Sequence, residues 1–199
     1  MTWGYRTLVL TGLFFVPGIA SAHSPIEGIN TFYNGLLHPV FVPAHLLLLI
    51  ALGLFIGQRG MEQNNLAMSA FLVASLTGLV AAWFSIGMSP EIILVCSSAI
   101  LGVLVASKLA VAPLWCTIIA AIAGLLIGID SAQETLSGKE KFFTLLGTGV
   151  GVNLLLLYST GLANYMNGKA WQKIGVRILG SWVAASSLLV LVLSFSRGL

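Results

Sequence analysis

Charge is scarce in this chain. Of 199 residues only 8% are Asp, Glu, Lys or Arg, where a soluble domain carries roughly 25%, and that scarcity excludes a fold with an ordinary solvated surface. The nine basic residues form no dense run, so the net charge of +3 is no footprint for nucleic acid. Cysteine is nearly absent. Cys96 and Cys116 both fall within apolar stretches, which leaves no disulfide framework and no CxxC metal motif, and the two are expected to stay unpaired. Also missing are a Walker loop, HExxH, a haem-attachment CxxCH, and any Ser-His-Asp or Cys-His set, so neither an enzyme nor a nucleotide-driven step is expected. The run Gly147-Thr148-Gly149-Val150-Gly151 imitates a dinucleotide fingerprint, but it sits inside an apolar stretch with no strand before it.

What is present is hydrophobic: 58% of the residues, in repeated stretches of about 20, each long enough to cross a hydrocarbon core of roughly 30 Å. The expected fold class is all-α, a polytopic helix bundle with the lipid bilayer as its first partner. The N-terminus is set apart from it. Arg6, the apolar run Leu8 to Ile19 and Ala20-Ser21-Ala22 have the form of a secretory signal, with cleavage after Ala22. Residues 1–22 then form a signal peptide and residues 23–199 a single transmembrane domain beginning at His23.

Six spans are expected: Leu36 to Gly57, Leu66 to Ile86, Ile92 to Leu109, Leu114 to Ser131, Phe142 to Met166 and Ile174 to Phe195. Counting positive charges orients them. Arg59, Lys108, Lys169, Lys173 and Arg177 lie on one side, against Lys139, Lys141 and Arg197 on the other. The richer side is read as cytoplasmic, which places the mature N-terminus outside, in the cell's inner membrane. Gly124 with Gly128, and Gly147 with Gly151, are small-xxx-small pairs that let helices approach closely. The similarity of Gly53-Leu54-Phe55-Ile56-Gly57 to Gly124-Leu125-Leu126-Ile127-Gly128 hints at a repeat. Three spans separate the two, so such a repeat is inverted across the membrane, as in many transporters.

Ionisable residues within spans are costly and mark functional positions by default. His38 and His45, two helical turns apart on one continuous span, are expected to share a face about 10 Å apart along the axis. Asp130 and Glu134 share a face if their helix continues that far. His23 adds an α-amine and an imidazole. On the topology above, His23, Glu27, His38, His45, Asp130 and Glu134 all fall on the outer side. Imidazole with carboxylate suits nickel, cobalt, zinc or copper, or a proton. A plain structural network of interfacial hydrogen bonds remains the competing reading. Asn153, in mid-span, is expected to make an interhelical hydrogen bond.

The segment His38-Pro39-Val40-Phe41-Val42-Pro43-Ala44-His45, followed by leucines, resembles the HPxxGxDH signature of the HupE/UreJ family, small signal-bearing membrane proteins of about six spans. Both histidines and the first proline match. Val42 stands at the signature glycine and Ala44 at its aspartate. The family's second motif, HGxAHG, has two histidines at i and i+4, and Asp130 and Glu134 have that spacing here. The resemblance implies a secondary permease or delivery protein for a divalent metal, nickel or cobalt first, and the metal ligands expected from the residues and their topology are His23, His38, His45, Asp130 and Glu134. The alternative is a non-transporting membrane subunit or assembly factor, whose partner is another membrane protein. A small-solute channel lacks the expected ring of like charges.

Overall fold

The computed structural model describes residues 29–60, 65–84, 90–133 and 135–197. The expected signal peptide, His23, Glu27 and Glu134 lie outside these. Among the described residues every regular element is helical: α1 Thr31–Phe41, α2 Pro43–Gly57, α3 Asn65–Trp83, α4 Glu91–Ser107, α5 Pro113–Asp130, α6 Gly138–Tyr165 and α7 Ala170–Arg197.

Four of these helices, α3, α5, α6 and α7, are long and apolar enough to cross a membrane, and α1 with α2 passes the same test as one bent span. The shorter α4 has 17 residues, the lower end of what a bilayer core requires. Side chains such as Val73, Val80, Ile100, Trp115, Leu189 and Val192 project outward. An apolar surface of this extent belongs in lipid. Inside, Leu48, Leu52, Phe55, Ile56, Phe71 and Ile127 are fully buried.

The first expected span is not continuous. It breaks at Val42 (φ −89°, ψ 108°), and α1 and α2 meet at 70°. Pro43 is the physical cause: it has no N–H to donate and pushes the residue before it out of the helical region. Val42 is accordingly extended and Pro43 becomes the first residue of a new helix. Both halves of the bent span pack along the 28-residue α6.

Glycine sets how closely the other helices approach. A Cβ on Gly124 would lie 2.7 Å from the carbonyl oxygen of Phe71, and one on Gly128 would lie 2.6 Å from that of Ser75, so α5 touches α3 backbone to backbone. Gly147 and Gly151 face the backbone of α1 at Phe32 and Leu36 in the same way. Both expected pairs are therefore packing devices, and the fingerprint-like run is a stretch of helix. Gly102 and Gly180 form a further crossing between α4 and α7, beside the buried Ser98–Ser187 hydroxyl pair at 2.7 Å. Asn153 donates to Ser75 Oγ across to α3 at 3.3 Å, the interhelical bond expected of it. Cys96 and Cys116 are both free thiols.

Candidate metal centre

The break at Val42 builds the site. His38 lies in the last turn of α1, and its carbonyl accepts the Val42 N–H at 3.1 Å. His45 lies in the first turn of α2. On a continuous helix the two imidazoles would be about 10 Å apart along the axis. With the chain bent between them, their ring centroids are 5.3 Å apart and nearly perpendicular, at 75°.

α5 supplies the third group. Asp130 is its last residue, and Oδ2 lies 2.9 Å from His45 Nε2. The pair is enclosed: His45 is 0% exposed, and His38 and Asp130 are each 6% exposed. With Asp130 ionised, its carboxylate only accepts hydrogen bonds, which assigns the ring proton of His45 to Nε2 as the donor. In neutral imidazole the proton on Nε2 leaves the lone pair on Nδ1. That Nδ1 is buried and has no hydrogen-bond partner among the described residues. Buried polar atoms are nearly always satisfied, and one that is not calls for an explanation.

Of the five residues expected to bind metal, His38, His45 and Asp130 come together at one end of the bundle, while His23 and Glu134 lie outside the described residues. The helix on which Asp130 and Glu134 were expected to share a face does not continue past Asp130. α5 ends at Asp130, where Ser131 closes the helix with its N–H bonded to the carbonyls of Ile127 and Gly128, and the segment up to Gln133 is not helical. Among the described residues, no three His, Cys, Asp or Glu side chains converge on a common point.

The same end holds a charge that the sequence did not single out as part of a site. Lys141, 8% exposed, donates to the Trp83 carbonyl at 2.9 Å and lies 5.8 Å from the Trp83 ring centre. It joins the start of α6 to the end of α3. At the opposite end Arg59 caps α2, with its guanidinium 3.7 Å over the Phe55 ring and donating to the carbonyls of Phe55 and Leu109. Burial lowers the Arg59 pKa from its ordinary value, and the nearby Cys116 thiol opposes that shift.

The profile of the family described as HupE / UreJ protein matches residues 11–190. No curated protein and no solved structure matches the chain.

Proposed function

The chain belongs to the HupE/UreJ family, and from that membership we propose that it is a secondary permease or delivery protein for a divalent transition metal, nickel or cobalt first. The family is associated with nickel and cobalt transport or accessory roles. Zinc and copper suit the same donors.

The observation that carries this reading is the state of His45. A carboxylate that accepts from one ring nitrogen fixes the tautomer and aims the other nitrogen, and metal-binding histidines are held in this way. Asp130 does this for His45, and Nδ1 is left as a buried lone pair in a ring whose centroid is 5.3 Å from that of His38. In this account His45 is the ligand and Asp130 its positioning residue. His38, with His23 and Glu134 from the adjoining segments, completes the coordination. A second support is the broken span. Transporters place substrate at discontinuous helices, where irregular backbone lines a cavity, and the break at Val42 lies between the two histidines. In this reading the site faces the outer side of the inner membrane, in a chain from which residues 1–22 have been removed.

Metal uptake into proteoliposomes tests the proposal. The wild-type protein is expected to accumulate nickel or cobalt. His45→Ala is expected to slow this by at least about tenfold, since even the loss of a supporting residue costs 10–100-fold. If His45→Ala transports like wild type but loses thermal stability or a protein partner, the non-transporting subunit takes the permease's place.

A further inference from the structure

The likeness of residues 53–57 to residues 124–128 extends to what each segment touches. A Cβ on Gly57 would meet the Thr160 carbonyl oxygen and Ala163 Cβ of α6; one on Gly128 would meet the Ser75 carbonyl oxygen and Gly78 Cα of α3. Gly53 likewise faces the backbone at Ser159 and Thr160, and Gly124 faces the Ser75 nitrogen. If α2 corresponds to α5, then α3 corresponds to α6 with Ser75 matched to Thr160. That register makes an independent demand: Met68 must then match Asn153. Two bonds between side chains of α3 and α6 meet it. Asn153 Nδ2 donates to Ser75 Oγ at 3.3 Å, and Thr160 Oγ1 donates to Met68 Sδ at 3.6 Å. Each contact is the image of the other.

The directions agree as well. Contacts advance together along α2 and α6, and along α3 and α5, so each pair is parallel, whereas those between α3 and α6 run in opposite senses. The axis relating the halves therefore lies across the helices, in the plane of the membrane, and α4 and α7 cross each other as the third helices of the two halves. Applied to the site, the correspondence takes His45 to Cys116 and Asp130 to Arg59. At the end opposite the histidines, Cys116 is fully buried with Sγ directed to the Val111 carbonyl at 3.9 Å, and Arg59 reaches the same connection through the Leu109 carbonyl at 2.7 Å.

We propose that α2–α3 and α5–α6 are inverted repeats, and that the α2/α6 pair rocks against the α3/α5 pair about the Met68–Thr160 and Ser75–Asn153 contacts, opening the His45–Asp130 end and the Arg59–Cys116 end in alternation. Each pair is joined backbone to backbone and moves as a unit, while His45–Asp130 joins α2 to α5 through side chains. Packed interfaces have discrete alternatives, and exchanging the conformations of two similar halves supplies the second state. The alternation rests on the transport reading, whereas the repeat does not.

Cys116 is a native reporter of the second gate. In a Cys96→Ser background, purified protein in detergent is treated with a small thiol reagent and the rate at Cys116 is followed by mass spectrometry. Asp130→Ala removes the closure at the histidine end, favours opening there, and is expected to slow labelling of Cys116 about fivefold, the shift that one net hydrogen bond gives between two states. Arg59→Ala is expected to speed it by a similar factor. Opposite signs support the proposal. Faster labelling in both variants is general loosening and overturns it, as does an unchanged rate in Asp130→Ala. If Arg59→Ala does not fold, Asp130→Ala decides alone, by slower labelling or not. No metal is present, so the outcome is separate from whether nickel or cobalt is the cargo.

Discussion

Gly128→Ala tests the link between packing and site, because this glycine lies two residues before Asp130 on the face that α5 presents to α3. Its added Cβ would meet the Ser75 carbonyl oxygen at 2.6 Å, and Gly78 Cα at 2.7 Å, backbone atoms that cannot rotate away. Real Cβ atoms essentially never come closer than 3.0 Å, and ordinary contact begins at 3.4 Å, so α3 and α5 must separate by 0.4 to 0.8 Å at this level. Overpacking of this kind costs about 1–3 kcal/mol. The displacement also reaches the 2.9 Å bond between His45 and Asp130, which weakens beyond about 3.2 Å. Gly161→Ala is the matched control, a helical glycine on α6 with nothing within 4 Å of its added Cβ. There alanine is expected to be neutral, or to stabilise by about 0.5–1 kcal/mol through helix propensity. Thermal or SDS-induced unfolding of the two variants in detergent gives the comparison, with nickel affinity measured in parallel. Equal stability of the two, with unchanged metal affinity in Gly128→Ala, would refute the close approach of α3 and α5 as the feature that positions Asp130.

Asp130→Asn is expected to weaken nickel binding 10–100-fold by calorimetry, as loss of a supporting carboxylate does, and to add little once His45 is alanine; fully additive losses would show that Asp130 binds metal independently of His45. Metal affinity is expected to fall on acidification, because protonated imidazole has no lone pair to give; a flat titration would remove imidazole from the site. N-terminal sequencing of the mature protein is expected to start at His23, and recovery of Met1 or Thr2 would remove the His23 amine from the proposed ligand set.

Much of the fold is legible in the sequence, since apolar runs of bilayer length can do little but form helices in lipid. Five of the expected spans coincide with α3 to α7 to within a few residues, and the glycine pairs of α5 and α6 pack where small-xxx-small spacing places them. The first span was the exception. Hydropathy is blind to a bend, and only Val42-Pro43 carries that signal, through the preference of a residue before proline for extended backbone. Val42 occupies the position of the signature's glycine, so the hinge falls at the point where the HupE/UreJ pattern has its most permissive residue. The bend moved His38 and His45 from a shared helical face to opposite sides of a hinge, and brought their rings together. That Asp130 and His45 stand at the same end of the bundle was legible from topology, whereas their contact was not, since nothing in the sequence makes the first and fourth spans neighbours. Nor was the role of Asp130. A carboxylate looks the same in sequence whether it holds a metal or aims a histidine, and the proposal that it aims His45 rests on the 2.9 Å contact to Nε2. The polar contacts of Met68 with Thr160 and Ser75 with Asn153 were also out of reach, since no spacing within one helix specifies its register against another.

The central claim is that His45 presents a buried nitrogen to a transition metal. X-ray absorption on nickel-loaded purified protein, wild type beside His45→Ala, addresses it most directly. The account predicts a stoichiometric nickel site with imidazole scattering in the wild type, and loss of one imidazole or of the metal itself in the variant. Wild-type protein that retains no nickel or cobalt, or a spectrum unchanged by His45→Ala, would contradict it.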